Sequence, residues 1–111
     1  MHPTRIDLHL RCRIKPGMRG AFIAFLAEAK PFYESPGGIE VRLLQDASDD
    51  HRFIELVLYD DRDIYERDQL RVQNDPAMIA CLQRWRTLLA EPPVVEVYAL
   101  TAIPAPAHRA E

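Results

Sequence analysis

The clearest pattern lies near the start of the chain. Ile6, Leu8, Leu10, Cys12 and Ile14 are apolar, while Asp7, His9, Arg11 and Arg13 between them are polar. This strict alternation predicts a strand with one buried face, closed by Pro16-Gly17. Helical spacing then takes over, with Met18, Phe22, Phe25, Leu26, Ala29 and Tyr33 sharing one stripe. Pro31 is expected to bend or end that helix, because it lacks an amide hydrogen and crowds the preceding turn. Ser35-Pro36-Gly37-Gly38 reads as a turn.

A second strand follows from Ile39 to Gln45, with Val41 and Leu43 on one side and Glu40 and Arg42 on the other. Asp46 to Asp50 reads as a polar hairpin loop that includes the neighbouring His51. The third strand, from about Arg52 to Tyr59, is apolar on most of both faces: Ile54, Leu56 and Leu58 on one, Phe53, Glu55, Val57 and Tyr59 on the other. Apolar residues on both faces suit a central strand. A second helical region starts at Asp60-Asp61, with Ile64, Tyr65 and Leu70 facing inward, and breaks at Asn74-Asp75-Pro76. Asp75 can cap the new helix and Pro76 can occupy its first position. The row Met78, Leu82, Trp85 and Leu89 then faces the core with Cys81 beside it, and Val94 to Leu100 forms the last strand.

The order β-α-β-β-α-β predicts an α+β, ferredoxin-like sandwich: a four-stranded antiparallel sheet with both helical regions on one face. The first and third strands lie side by side at its centre. Residues 1–103 form this domain, and the proline- and alanine-rich 104–111 stretch reads as a flexible tail. The apolar phases are expected to meet the helices. The opposite phase places Asp7, His9, Arg11, Arg13, Arg42, Leu44, Phe53, Glu55, Val57, Tyr59, Glu96 and Tyr98 on the open face. That face is too polar for a buried layer and too apolar for a wet surface. A second copy related by a two-fold axis would cover it, giving a homodimer that encloses a cavity.

Composition narrows the options. The chain has 111 residues, 48% hydrophobic and 28% charged, which suits one soluble globular domain. Fourteen Lys and Arg against seventeen Asp and Glu give a net charge of −3, which opposes nucleic-acid binding. No apolar run approaches the ~20 residues of a membrane span, and the first residues lack a signal-peptide core, so a cytoplasmic protein without a membrane partner is expected. Two cysteines, Cys12 and Cys81, are too few for a disulfide framework. His2, His51 and His108 have no ligand partners at metal spacing, and no metal site is expected.

Several segments resemble the dimeric α/β-barrel superfamily, in particular its antibiotic-biosynthesis-monooxygenase-like branch. They are Ser35-Pro36-Gly37-Gly38-Ile39, Phe53 to Tyr59 with the acidic turn after it, Asp63-Ile64-Tyr65-Glu66-Arg67 and Val95-Glu96-Val97-Tyr98. The stretch Arg67, Arg71 and Asn74-Asp75-Pro76 is also similar to NIPSNAP-type domains. The resemblance implies a dimeric barrel that binds a small aromatic or polyketide-like molecule, as a monooxygenase or isomerase without a cofactor. Members often carry a Glu on the third strand and a His early in the second helix. Here Val57 and Asp68 occupy those places, and Glu55 lies one pleat earlier.

His9, Arg11, Glu55 and Glu96 form the strongest chemical group, with Tyr59 and Tyr98 near them. On the expected open face His9 and Arg11 neighbour Glu55 and Glu96 across the sheet. His9 and Glu55 are the candidate proton-transfer residues, Arg11 and Arg42 the anion holders, and Phe53, Tyr59, Glu96 and Tyr98 the other ligand-binding residues. The competing reading is that these charges neutralise one another inside an interface. The alternative function is a non-catalytic module of the same fold that binds a ligand or only dimerises.

Overall fold

The computed structural model describes residues 4–107. The chain runs β1 (Ile6–Arg13), α1 (Arg19–Glu34), β2 (Ile39–Asp46), β3 (Asp49–Tyr59), α2 (Arg62–Asn74), α3 (Pro76–Arg86) and β4 (Val94–Ala99). The strands form one antiparallel sheet in the order β2-β3-β1-β4, so β1 and β3 are central, as the element order predicts. One face packs against the helices through a core containing Ile6, Cys12, Val41, Phe53 and Val57 from the strands and Phe22, Phe25, Met78 and Trp85 from the helices. His2 and His108 lie outside the described residues, as do 108–111 of the expected tail; residues 104–107 are exposed and without regular structure.

The register corrects one expectation with large consequences. Ile6 pairs with Tyr59, Leu8 with Val57, Leu10 with Glu55 and Cys12 with Phe53. Directly paired residues point to the same side of a sheet, so Phe53, Glu55, Val57 and Tyr59 face the helices. Ile54, Leu56 and Leu58 are the strand's contribution to the open face. The cause is the hairpin. Asp46 pairs with Asp49 across a two-residue turn, yet Gln45 pairs with Phe53, with a register shift between Gln45 and Asp46. Continuing the turn's own register would have set Val41 opposite Ile54; it faces Val57 instead. An odd offset exchanges the faces of a strand.

Smaller departures have local causes. The hairpin is tighter than expected because the Asp46 carboxylate accepts from Ser48 N and Ser48 Oγ, both at 2.8 Å, which leaves His51 inside β3. Helix α1 continues through Pro31 to Glu34. Its final carbonyls have an outside partner: Arg71 donates to Phe32 O at 3.2 Å and Tyr33 O at 2.8 Å. Leu70, expected inside, is 57% exposed. The inward face of α2 instead carries Asp68, its only buried residue. The caps follow the sequence: Asp61 accepts from Ile64 N at 2.9 Å, and Asp75 accepts from Ala77 N at 3.0 Å with Pro76 opening α3.

Arg71 also donates to the buried Asp68 carboxylate at 2.9 Å, so one guanidinium joins the middle of α2 to the end of α1. Arg71→Met would leave Asp68 buried without its cation and is expected to remove about 3 kcal/mol of stability. Urea unfolding checks this against Arg67→Met, an exposed site on the same helix, where the change should stay within about 0.5 kcal/mol.

Candidate functional site

A cavity of about 220 Å³ lies between the helix-facing side of the sheet and α2 and α3. Strands β1 and β3 supply Leu8, Leu10, Glu55, Val57 and Tyr59, and the helices supply Tyr65, Asp68, Met78, Leu82 and Trp85. Tyr33 reaches it from α1, and Val95 and Val97 of β4 form a rim. The rim is open: Val95 is 56% exposed and Val97 48%, although both belong to the helix-facing phase.

Glu55 is the unusual member. It is 3% exposed, paired across the sheet with Leu10 and Leu43, and its Oε1 has no hydrogen-bond partner. Burial pushes its pKa up to about 7, because a desolvated carboxylate has no cation to offset the lost hydration. A carboxyl so placed can both give and take a proton near neutral pH. Asp68, in the same wall, is fully engaged: Tyr59 OH donates to it at 2.6 Å and Arg71 Nε at 2.9 Å. Burial, and then the acidic partner, raise the Tyr59 pKa and keep the phenol protonated. Tyr33 OH accepts from Cys81 Sγ at 3.5 Å. Trp85 is the other residue here with an unmet polar atom, its indole Nε1. The site therefore has one free buried carboxyl and one free buried indole N–H in mostly apolar walls, to which Tyr65, Gln69 and Arg86 add further polar groups.

The remaining candidates separate from this group. His9 lies on the open face, opposite Leu56 on one side and Glu96 on the other, with its ring 4.8 Å from that of Tyr98. The expected His9–Glu55 contact is therefore absent, since the two residues point to opposite sides of the sheet. Arg11 does meet Glu96, at 2.8 Å, and Arg42 pairs with Glu40 at 2.8 Å. Phe53 and Tyr59, expected on the open face, are 2% and 1% exposed in the core; Phe53 packs on Phe22 with ring centroids 5.1 Å apart. Burial raises the pKa of Cys12 to about 12, as suits a core thiol. On the open face, Arg11, Arg13, Arg52, Leu44 and Val94 line a wider groove of about 570 Å³. Its arginines already face Glu96, Asp49 and Asp46.

The hairpin also brings together Asp49, Asp50 and His51, whose potential ligand atoms lie within 4.8 Å of one another. Arg13 sits 3.2 Å from Asp49 and the His51 ring 2.7 Å from Asp50, so both carboxylates already have a side-chain partner.

The sequence reads Trp85 as a core residue with pocket lining as the alternative, and it does not single out Asp68 as a site residue. Trp85 belongs to the core row, and only the orphaned Nε1 distinguishes it from a packing residue. Asp68 stands out only as the residue at the place where the resembling branch often has His.

Comparison with known proteins places this architecture. No family model matches the sequence, and no curated protein matches it closely. Solved structures do. A Bordetella bronchiseptica protein named as an antibiotic biosynthesis monooxygenase is 25% identical, with a TM-score of 0.68 over 89% of this chain and 99% of its own. A Nitrosomonas europaea protein of unknown function is 28% identical, with a TM-score of 0.69 over 97% and 100% of the two chains. SnoaB, a cofactor-independent oxygenase from Streptomyces nogalater, is 17% identical, with a TM-score of 0.67 over 92% and 96%. The chain thus has the ferredoxin-like α+β fold of the antibiotic biosynthesis monooxygenases. Among the described residues, no helix is long and apolar enough to cross a membrane.

The Glu55 environment gives a signature in stability. Its pKa rises from 4.5 to about 7 on folding, so the folded state holds the proton more tightly. The penalty is absent below pH 4.5, grows between pH 4.5 and about 7, and is complete above that, about 3 kcal/mol in total. Glu55→Gln should remove this decline, and denaturant melts from pH 4.5 to 8 would check it. Parallel curves for the two proteins would mean that the carboxyl is paired or hydrated.

Proposed function

We propose that the protein binds a small aromatic or polyketide-like molecule in the Glu55 cavity and oxidises it with dioxygen, without a cofactor. The observation that carries this is an unpaired, buried carboxyl with a pKa near 7, facing a cavity with aromatic walls. Glu55 takes a proton from an acidic ring methylene or phenol. The resulting anion is electron-rich enough to reduce dioxygen, and a C–O bond forms at the ring carbon. Cleavage of the O–O bond leaves one oxygen as a new carbonyl and releases the other as water, which carries away both methylene hydrogens or, for a phenol, the O–H and ring C–H hydrogens. The indole N–H of Trp85 is free to hold the oxygen on which the anion's charge gathers.

The second reading is a non-catalytic binding module, and it draws on the same cavity. Asp68 is tied to Tyr59 and Arg71, so Glu55 is the one unpaired carboxyl of the site. Oxygen uptake with hydroxylated anthrones and hydroquinones separates the two readings. Glu55→Gln should lower uptake at least about hundredfold, while His9→Ala stays within about threefold because His9 is on the other side of the sheet. Full uptake by Glu55→Gln would remove the carboxyl from the chemistry. Trp85 is the only tryptophan of the chain, so quenching of its fluorescence without any uptake would select the binding module.

We further infer a homodimer in which two open faces meet, completing a dimeric α/β barrel. Leu44, Val94 and Tyr98 are 51%, 56% and 46% exposed there, beside the half-buried Leu56. Covering such a group twice over is worth several kcal/mol at ~25 cal/mol per Å². Light scattering should give a dimer mass for the wild type and a monomer mass for Leu44→Asp.

A further inference from the structure

Three tyrosines line the Glu55 cavity, and their hydroxyls are not equivalent. Tyr59 OH is spent on Asp68, to which it donates at 2.6 Å. Tyr65 is half-buried and its hydroxyl reaches water. Tyr33 is only 9% exposed. Among the described residues its hydroxyl has one partner, the Cys81 thiol at 3.5 Å. Sulfur is a weak donor and a weak acceptor, so this contact leaves most of the phenol's hydrogen-bonding capacity unused. A buried hydroxyl with so poor a partner carries part of the cost of an unmet polar group.

Tyr33 is also firmly held. It lies in the last turn of α1, where its backbone carbonyl accepts from Arg71 at 2.8 Å. At the other end of the ring, the Cys81 contact ties the hydroxyl to α3. Burial, then the thiol, and then the charge of Glu55 raise the pKa of the phenol, so it keeps its proton and serves as a donor. Glu55 is thus near enough to act on this hydroxyl. Trp85 supplies the second donor of the cavity, an indole N–H without a partner. One carbonyl on a ligand can meet the indole; the phenol needs a further oxygen. A site with a buried donor discriminates against an analogue that lacks the matching acceptor, because the donor is then left unmet. Gln69 is half-buried and Arg86 exposed, so water already serves both and they discriminate less.

We propose that Tyr33 sets the specificity of the cavity by donating a hydrogen bond to a second oxygen of the ligand. The substrate class is then narrower than aromatic molecules at large. It consists of aromatic ketones that carry a hydroxyl or carbonyl oxygen in addition to the one facing Trp85. The proposal rests on the cavity being the binding site, as argued above, and it concerns binding alone. The phenol keeps its proton throughout, and no bond forms or breaks at it.

Anthrone and its 1,8-dihydroxy derivative test it, since they share a carbonyl and a ring methylene and differ only in hydroxyl oxygens. Both are titrated without dioxygen into the wild type, Tyr33→Phe and Cys81→Ala, with binding read from Trp85 fluorescence and folding from circular dichroism. The wild type should bind the dihydroxy compound about tenfold more tightly than anthrone, the worth of one hydrogen bond. In Tyr33→Phe that preference should fall to within about twofold, with the affinity for anthrone unchanged. Cys81→Ala should keep the preference, because the thiol only rests against the phenol. Equal affinity of the wild type for the two compounds overturns the proposal without any variant. A preference that survives in Tyr33→Phe, or one lost equally in Cys81→Ala, overturns it as well. If neither compound quenches Trp85 in the wild type, the role of Tyr33 and the cavity reading fall together. A preference that follows Tyr33, with no oxygen uptake in air, would leave Tyr33 in place and remove the oxidation.

Discussion

An offset of three residues at the mouth of the β2–β3 hairpin determines what this domain can do. With the tight turn made between Asp46 and Asp49 and the long ladder starting from Gln45 and Phe53, the strand enters the sheet with its odd-numbered residues toward the helices. Phe53, Val57 and Tyr59 gain a core. Glu55 is carried in with them, because alternation admits no exception for one residue in the middle of a ladder. The aromatic residues and Val57 supply the hydrophobic gain, and the desolvated carboxyl is the penalty attached to it. A site of this kind is held in place by its neighbours, since Glu55 cannot turn outward without taking Phe53 and Tyr59 with it.

The two acids of the cavity illustrate how environment divides one chemistry into two roles. Asp68 accepts from a phenol and a guanidinium and behaves as a structural anion, fixing Tyr59, Arg71 and the end of α1 in one network. Glu55 meets no donor at Oε1, and its proton is therefore free for exchange with whatever enters. Carboxyls whose surroundings push them apart in this way are a common basis for acid–base assignment. The guanidinium that balances Asp68 is also the one that satisfies the last carbonyls of α1.

Much of this architecture was legible in the sequence, and the exceptions share a cause. Alternation in β1 and β4, the stripe of α1 from Phe22 to Tyr33, the stripe of α3, and the cap Asp75 all report local physics, and each appears where its pattern places it. The facing of β3 does not, because Ile54, Leu56 and Leu58 are as apolar as Phe53, Val57 and Tyr59. With both phases greasy, only the register could decide, and register is set by a bulge that no composition marks. The candidate site inherited the error: Glu55 was identified from its chemistry but placed beside His9, on the wrong side of the sheet. Arg11 and Glu96 were placed correctly, because both strands that carry them have one unambiguous apolar phase. Leu70 was misplaced for a different reason. The inward face of α2 is built around a salt bridge, which hydrophobic periodicity cannot register.

The Arg71 clamp also constrains how a molecule could reach Glu55. Lifting α2 would break the Tyr59–Asp68 hydrogen bond to the sheet and strip the Arg71 cover from the last carbonyls of α1 in the same movement, so that roof is latched to two elements. The opposite side has no such fastening: β4 carries Val95 and Val97 beyond the reach of the helices. The doorway therefore lies along the margin of the sheet, and its threshold is greasy. A flat, uncharged visitor can slide across it, whereas a strongly hydrated one would have to shed its water before reaching the unpaired acid inside.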